Sequence, residues 1–262
     1  MIGVLCVGCV TPLGEVVATV RSALAAGDVA LAPRASLALL PEPRAAVVAG
    51  PDLGPWLRRK KDLRLLSRAA VLALPAAGRA LAAFAGDPSE LGVFVAVGRE
   101  PPDEGEAEVS LAAMERGGRL DRVALGGDGR ATYPPLLPLR TLPNMVLAHV
   151  CIQHGIRGEN ATFAGGAEAG AAAVRAAVRA GEEGRAPFAL VGAASAETDL
   201  ASARDRLRAG LVDPPGEAAI FALIGPGGAP IPPGPLPPSR PSWGDLGCVE
   251  GLIPLLWSQT PG

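Results

Sequence analysis

The chain has 262 residues, of which 49% are hydrophobic and only 3% aromatic, so it is long enough to bury a core and does not have a disordered protein's composition. Its net charge of −2 gives no electrostatic case for nucleic-acid binding, and no apolar run approaches the roughly 20 residues that span a bilayer. The apolar N-terminus has neither a basic region nor a cleavage site, so we expect a soluble, cytoplasmic protein that begins with a strand.

Five apolar runs predict β-strands, and helical patterns separate them. In chain order the strands are expected at residues 2–10, 91–97, 161–165, 188–194 and 217–225, with a further short strand at 45–49. The helices are expected at residues 11–27, 56–84, 109–116, 143–155 and 167–181. This alternation predicts an α/β fold with a layered sheet.

Several residues mark where these helices begin, end or break. The first helix is expected to start with Thr11 as its cap and Pro12 in its first turn, and to stop at Gly27. Pro75 interrupts the second helix, and Gly155 is the expected C-cap of the fourth. The fifth helix is so rich in Ala that we expect small residues on all its sides.

The chain is expected to form one domain with a docked tail. Residues 1–225 hold all the predicted strands. Residues 226–241 read PGGAPIPPGPLPPSRP, a composition typical of an extended linker without its own core. Residues 242–262 include a short helical segment, which we expect to dock on the same domain.

Four cysteines are too few and too scattered for a disulfide scaffold: Cys6, Cys9, Cys151 and Cys248. Cys6 and Cys9 form a CxxC pair, but a strand directs their side chains to opposite faces. Metal or redox use stays open, and burial as small apolar side chains is the favoured interpretation.

The stretch TFAGGAEAG, residues 162–170, has the shape of a strand-to-helix turn that carries a catalytic nucleophile. Such turns suit a nucleophile because the helix N-terminus offers unpaired N–H groups and a positive dipole end. Here the turn holds Gly165, Gly166, Ala167 and Glu168, none of which is a conventional nucleophile. Glu168 is interpreted either as a carboxylate favoured by the helix dipole or, less readily, as a general base.

The two histidines, His149 and His154, stand five apart on one helix. Five residues rotate a helix by a net angle of roughly 140°, so the pair does not share a metal as an i, i+4 pair would. The default interpretation is a satisfied or exposed imidazole.

Residues 142–184 resemble the β-ketoacyl synthase family around its active-site cysteine. In that family an Asn-Met helix carrying a His leads through Gly-Leu-Arg-Gly into a strand, a Cys-containing turn and a long helix. The matching positions here are Asn144, Met145, His149, Gly155, Arg157, Gly158 and Gly170. The likeness covers about residues 1–225. It implies a thiolase-like fold, as in the N-terminal half of a ketosynthase, with a mostly parallel five-stranded sheet between helices.

The sequence departs from the family at its reactive groups. Alignment on Thr162 and Gly170 puts the nucleophilic Cys at Ala167, and alanine cannot hold an acyl thioester. The family's second half carries two catalytic histidines, and we expect no counterpart of that half here. The final GDLGCVEGLIPLL resembles only one of its helices, and residues 240–242 before it have no His.

The resemblance therefore implies a non-catalytic subunit of the chain-length-factor type, similar to the short ketosynthase-like subunits of aryl polyene and type II polyketide systems. Such a subunit would pair with an active ketosynthase, and acyl carrier protein is a further expected partner. Because family dimers pair the strand before the nucleophile turn, interface or acyl-tunnel roles are implied for Met145, His149, Thr162, Phe163, Ala164 and Ala167. No catalytic residue, cofactor or metal is expected.

Two alternatives stay open. The first is a small acyltransferase or thioesterase that uses Glu168 or His149 on acyl-carrier-protein thioesters. The second is a self-associating structural or acyl-binding protein, in which residues 161–165 pair with their own copy.

Overall fold

The computed structural model of the chain describes residues 1–100, 106–232 and 240–258. Its strands are β1 (Ile2–Val10), β2 (Leu31–Pro33), β3 (Arg44–Ala46), β4 (Gly92–Val97), β5 (Glu115–Arg116), β6 (Arg119–Leu120), β7 (Asn160–Ala164), β8 (Ala189–Ser195) and β9 (Ala218–Pro226). Its α-helices are α1 (Val17–Ala26), α2 (Arg68–Leu81), α3 (Glu106–Met114), α4 (Arg122–Ala124), α5 (Arg130–Thr132), α6 (Pro138–Thr141), α7 (Asn144–His154), α8 (Ala167–Glu182), α9 (Leu200–Arg208) and α10 (Arg240–Trp243). A π turn (Leu125–Gly129) joins α4 to α5, and 3-10 helices lie at Ala35–Leu37, Gly54–Trp56, Lys60–Leu65, Pro88–Glu90 and Gly247–Trp257.

A five-stranded sheet with the order β1-β9-β8-β4-β7 organises the chain. β9 is antiparallel to both of its neighbours, whereas β8, β4 and β7 are parallel, so β1 runs in the same direction as these three. The predicted α/β class with a mostly parallel five-stranded sheet is thus confirmed. The short strand expected at 45–49 occurs as β3, but it pairs with β2 outside this sheet.

Helices cover both faces of the sheet, which splits the core into two layers. One layer joins the strands to the Ala face of α8 and to the segment Gly247–Trp257. The other joins them to α2 and α7. β4 and β8 are buried along their whole length because both of their faces are covered, which explains why their sequences do not alternate.

The two cysteines of the CxxC pair lie on opposite faces of β1, as predicted. Cys9 packs in the α8 layer and Cys6 contacts the α2 layer. A β-bulge between Val4 and Cys6 shifts the register and reverses the alternation at this point. Burial raises the pKa of the Cys9 thiol to about 12, as expected for an apolar packing residue. All four cysteines are free, and the described residues hold no cluster of three metal-ligating side chains.

The first helix starts later than expected, at Val17 instead of residue 11. The backbones of Thr11 and Gly14 donate to each other at 2.9 and 3.0 Å, and the Thr11 hydroxyl accepts from Leu13 N at 3.2 Å. Thr11 therefore closes a tight turn instead of capping a helix, since threonine readily forms such local bonds. The expected glycine stop is correct, because Gly27 adopts φ 75° at the end of α1.

The prediction of one long helix over residues 56–84 is also wrong in its bounds. Only α2 is α-helical there; it starts where the Ser67 hydroxyl accepts from Ala70 N at 3.2 Å, and it continues through Pro75. Proline removes one helical hydrogen bond and usually kinks or breaks a helix interior. Here ten of the fourteen residues of α2, Pro75 included, are buried against the sheet and α7, and this packing outweighs the local penalty.

The fifth predicted helix, α8, is not small-residue on all sides. Its buried face is made of Gly170, Ala173, Ala177 and Ala180. The opposite face carries charged side chains that are largely exposed: Glu168, Arg175 and Arg179. The helix is therefore amphipathic, with a flat and small inner face.

A glycine seam joins α8 to the C-terminal segment. A Cβ on Gly170 would overlap the carbonyl oxygen of Cys248, and a Cβ on Gly251 would overlap the backbone of Ala167 and Ala171. The two backbones are therefore in direct contact, and Gly247–Trp257 packs firmly on α8. Of the predicted Pro-rich linker, residues 226–232 are described and Ala229 bridges back to Val4 of β1. Residues 233–239 lie outside the described residues.

In the described part of the chain, no helix has both the length and the apolar character needed to cross a bilayer.

Replacing Gly170 by Ala should destabilise the protein by about 1–3 kcal/mol, because the new methyl group overpacks the seam. Helix propensity alone predicts the opposite sign, a gain of about 1 kcal/mol. Gly166→Ala is the matched control, since no atom lies within 4 Å of a Cβ placed there. Urea unfolding of both variants measures the difference, and a Gly170→Ala variant as stable as the control would refute the seam.

Candidate functional site

The turn between β7 and α8 has the geometry of a nucleophile turn. β7 ends at Ala164 and α8 begins at Ala167, with Gly165 at φ 145° between them. Gly165 N donates to Val97 O at 3.2 Å, which anchors the turn to the end of β4. Ala167 is exposed at the first position of the 16-residue helix, where the backbone N–H groups lack helical partners. A side chain at position 167 therefore meets the positive end of a helix.

A cleft of about 470 Å³ opens in front of this turn, at the edge where β4, β7 and β8 end. Its lining residues come from six separate segments: Gly98, Arg99, Pro143, Ala164, Gly165, Gly166, Ala167, Glu197, Arg206, Leu211, Asp245, Gly247 and Glu250. Among these described lining residues there is no Cys, Ser, Thr, Lys or His. The cleft thus offers charge and backbone N–H groups, without a conventional nucleophile.

The charged groups of the cleft are engaged with one another. Arg206 of α9 pairs with Asp245 at 2.7 Å, and both side chains are buried, 8% and 6% exposed. The second oxygen of Asp245 accepts from Gly247 N at 2.8 Å, and Glu197 Oε1 accepts from Arg99 N at 2.9 Å. Removing one partner of a buried ion pair typically costs about 3–5 kcal/mol, so these charges hold the cleft together.

The C-terminal segment reaches this cleft through Asp245. The resemblance drew attention to residues 240–242, but the side chains that this segment adds to the cleft belong to Asp245 and Glu250. Its cysteine, Cys248, is fully buried beneath the cleft, with Sγ 3.4 Å from Ala194 O. Burial raises the pKa of the Cys248 thiol above its usual range, which suits a packing role.

His149 is placed in the interior, away from the cleft lining. It is 5% exposed, and its Nε2 donates to Leu65 O at 3.0 Å. Burial lowers its pKa, an effect partly opposed by hydrogen bonding to backbone groups at Leu139 and Leu65. Met145 is half-buried on the same helix, α7, and His154 stacks at a tilt on Trp56 with ring centroids 6.4 Å apart.

Three of the predicted interface residues lie on β7, which is an edge strand. Phe163 packs its ring toward the α8 layer, while Thr162 is half-buried and Ala164 exposed. Glu159 accepts from Val93 N and Gly165 donates to Val97 O, so the odd-numbered residues bond to β4. The N–H and C=O groups of Thr162 and Ala164 therefore point to the open side of the sheet.

A second surface feature was missed by sequence reasoning. The acidic and Gly-rich composition of residues 99–141 predicts an insertion or a surface excursion with a short helix at 109–116. The described part of this region from residue 106, together with Leu142, is named the excursion. The structure shows that this excursion exposes a series of large apolar side chains: Val109, Leu111, Leu120, Val123, Leu125, Tyr133, Leu136 and Leu142. α7 adds Ile152, which is 53% exposed. The sequence contains these apolar residues within an otherwise polar, Gly-rich segment, which could have indicated them. Exposed apolar residues that lie together mark interaction surfaces.

Glu100 follows β4, next to Arg99 of the cleft lining, and its side chain lines a separate cavity beside the start of α2. Burial raises its pKa to about 8; the nearby Ser67 hydroxyl lowers the pKa in part, and the Glu197 carboxylate raises it further. At neutral pH the folded protein therefore holds Glu100 mainly as a neutral carboxylic acid.

Comparison with known proteins agrees with this geometry. Residues 2–224 match the model of the β-ketoacyl synthase N-terminal domain. No match is found among curated proteins.

Solved ketosynthase structures superpose on the chain. The ishigamide ketosynthase/chain length factor is 26% identical, with a TM-score of 0.63, over 88% of this chain and 64% of its own. A type II polyketide acyl-carrier protein complex with its hexaketide-bound ketosynthase gives 17% identity and a TM-score of 0.64, over 86% and 62%. A β-ketoacyl synthase from Burkholderia phymatum gives 19% and 0.63, over 86% and 58%. The expected thiolase-like fold is confirmed, and the chain spans less than two thirds of these relatives' length.

A cysteine introduced at Ala167 tests the turn. We expect its thiol pKa to fall below the ordinary value of about 8.5, because the α8 N-terminus stabilises a thiolate. At pH 7 it should react with iodoacetamide several-fold faster than a cysteine at Arg175, which is exposed in the middle of the same helix. Mass spectrometry resolves these sites from the native cysteines, and equal rates for the two variants would contradict the proposed geometry.

Glu100→Gln should change the pH dependence of stability. Between pH 4.5 and about 8 the folded state keeps a proton on Glu100 that the unfolded state releases, so the stability contributed by Glu100 is lost as pH rises through this range. Each unit of pKa difference corresponds to about 1.4 kcal/mol. The stability of Glu100→Gln relative to the native protein should therefore rise from pH 5 to pH 8.5 in urea unfolding. A constant difference would show that Glu100 titrates normally.

Proposed function

The chain belongs to the β-ketoacyl synthase family through its N-terminal domain, and from that membership we propose that it is a non-catalytic subunit of the chain-length-factor type. In this role it pairs with an active ketosynthase of polyketide or fatty-acid-like biosynthesis in the cytoplasm and helps to shape the partner's acyl tunnel. The observation that carries the proposal is an open strand edge beside a nucleophile turn that presents Ala167.

The similar structures support a synthase-related role. One of them is described as a ketosynthase/chain length factor, and another as an acyl-carrier protein in complex with its ketosynthase. A ketosynthase is therefore the first partner to test for this chain, and acyl carrier protein the second.

The cleft supports a role without covalent catalysis. A condensing enzyme needs a nucleophile that carries the acyl group, and the turn offers the methyl group of Ala167 there. The alternative acyltransferase role assigned chemistry to His149 or Glu168. Neither belongs to the described lining of the cleft, and His149 is bonded to a backbone carbonyl in the interior.

The edge strand and the apolar excursion support pairing. An unpaired edge can add a strand from another chain, which would extend the sheet across the interface. The exposed apolar side chains of residues 106–142 could add buried area to such an interface, and specific stable interfaces bury about 1,200–2,000 Å² in total. We therefore propose that β7 and this excursion form the partner surface, with Thr162, Phe163 and Ala164 at its centre.

Co-expression with the ketosynthase encoded nearest to this gene tests the proposal. Size-exclusion chromatography with light scattering should show a stable heteromer that contains both chains. Two proteins that migrate separately at micromolar concentration would contradict it. A homodimer of this chain that does not exchange with the ketosynthase would instead favour the self-associating alternative. Hydrolysis of an acyl-thioester by the chain alone, lost in His149→Ala, would favour the enzyme.

Thr162→Pro should weaken pairing at least tenfold, equivalent to about 1.4 kcal/mol. Proline removes the N–H that points to the open edge and leaves the bonds between β7 and β4 intact. Thr162→Ala is the control, because it keeps the N–H and should pair much as the native chain does. Ala161→Pro removes an inward bond and should destabilise the fold instead. Titration calorimetry with the ketosynthase separates these outcomes, and unchanged affinity for Thr162→Pro would exclude strand pairing.

A further inference from the structure

A second cavity, of about 370 Å³, lies at the same edge of the sheet but beside the start of α2. It shares only Arg99 with the cleft at Ala167. Its walls are mostly polar: Arg34, Ser36, Leu66, Ser67, Arg68, Arg99, Glu100, Leu137, Arg140, Ala196, Thr198, Asp199 and Glu217. Among the described lining residues none belongs to β7, whereas Leu137 and Arg140 belong to the excursion of residues 106–142.

The fold explains why these groups converge. The chain leaves β4 at Arg99 and β8 at Thr198, and the carboxyl ends of these parallel strands meet at one edge. Glu217 comes immediately before the antiparallel β9 and so reaches the same edge. The 14-residue helix α2 begins there, and the N–H groups of Arg68 and Ala69 lack partners within the helix, whereas Ala70 N is capped by Ser67. Crevices at the carboxyl ends of strands are the usual ligand sites of open α/β sheets.

The described wall of the cavity holds more guanidinium groups than carboxyl groups. Arg68 is committed to Glu217, with Nε 3.2 Å from both carboxylate oxygens, and Arg99 pairs with Asp205. Arg34 has no side-chain partner among the described residues, whereas Arg140, the fourth guanidinium of the wall, has an interaction of its own. Several guanidinium groups beside a helix N-terminus suit a phosphate, which accepts many charge-assisted hydrogen bonds.

The cavity wall also holds two carboxyl groups with an unsatisfied oxygen each: Asp199, and Glu100, which is mainly protonated at neutral pH. Glu100 Oε1 and Asp199 Oδ2 are buried and have no hydrogen-bond partner in the described part of the chain. The other oxygen of Asp199 accepts from Ser202 N at 2.9 Å and caps α9. A buried oxygen without a donor costs about 1–3 kcal/mol, so each such atom in a native protein calls for a partner. A bare inorganic anion at neutral pH supplies few donors, whereas hydroxyl groups supply them.

We propose that this cavity binds a small phosphorylated polyol. The phosphate lies toward Arg34 and the start of α2, and the hydroxyl groups of the ligand form hydrogen bonds with Glu100 and Asp199. The Thr198 hydroxyl, 4% exposed, is a further polar group in the wall. This proposal does not rest on pairing with a ketosynthase, because the ligand contacts assigned here all lie within this chain and are tested on the chain alone.

Titration calorimetry on the full chain tests the site with glycerol 3-phosphate, inorganic phosphate and glycerol as probes. We expect saturable binding of glycerol 3-phosphate with Kd below about 1 mM, at least tenfold weaker binding of phosphate, and none of glycerol. Absence of saturation by glycerol 3-phosphate overturns the proposal. Equal affinity for phosphate and glycerol 3-phosphate overturns its polyol part and leaves an anion site.

Arg34→Gln should weaken glycerol 3-phosphate binding at least tenfold. Arg34 is exposed and unpaired among the described residues, so the variant keeps the native fold, which circular dichroism and the unfolding midpoint check. Arg175→Gln, on the outer face of α8, is the matched control and should bind normally. Unchanged affinity in Arg34→Gln, or equal losses in both variants, would exclude the cavity as the binding site. Ligand-induced stabilisation against heat, absent in Arg34→Gln, provides a second readout.

Discussion

Direct backbone contact between α8 and the C-terminal segment is the constraint on which the rest of this structure depends. The segment approaches the helix at Gly170 and Gly251, where any side chain would force the two backbones apart. This contact fixes the start of α8, and with it the position of Ala167 relative to β4 and β7. It also carries Asp245 into reach of Arg206, so the tail and α9 are locked together. A substitution in the seam should therefore change the geometry of the cleft, although the seam glycines carry no charge.

Charged side chains lie in two separate sites at the edge of the sheet where β4 and β8 end: the cleft at Ala167 and the cavity beside α2. Around Ala167, the buried pair Arg206–Asp245 and the bond from Arg99 N to Glu197 satisfy the groups from within the protein. Around α2, the hydrogen bonding within the protein is incomplete. Arg34 faces the cavity without a partner in the described chain, and buried carboxyl oxygens have no hydrogen-bond partner there. The paired charges around Ala167 stabilise the turn. The unsatisfied groups around α2 can form hydrogen bonds with a ligand.

Sequence reasoning recovered the strands because their apolar runs are long and buried on both faces, as in residues 91–97. It recovered the glycine stops at Gly27 and Gly155 for an equally local reason, since both require positive φ. It failed where long-range contacts decide. Nothing local shows that packing on the sheet carries α2 through Pro75. The turn that Thr11 closes with Gly14 is local, and it was missed because Thr and Pro also suit the start of a helix. The same limit applies to the site: Ala167 could be placed from its flanking residues, whereas the approach of Asp245 from 78 positions away needs the seam.

The open edge of β7 poses the remaining physical question, because proteins usually protect such edges with charges, prolines or covering loops. The other edge of the sheet, β1, has a bulge and a bridge from Val4 to Ala229 that interrupt its outer side. β7 has neither device among the described residues, and its sequence Asn-Ala-Thr-Phe-Ala carries no charge. The excursion of residues 106–142 exposes several large apolar side chains alongside charged ones. An unprotected strand edge is costly for a chain that works alone and favourable for one that works in a complex, and the open edge of β7 therefore agrees with the pairing proposed above.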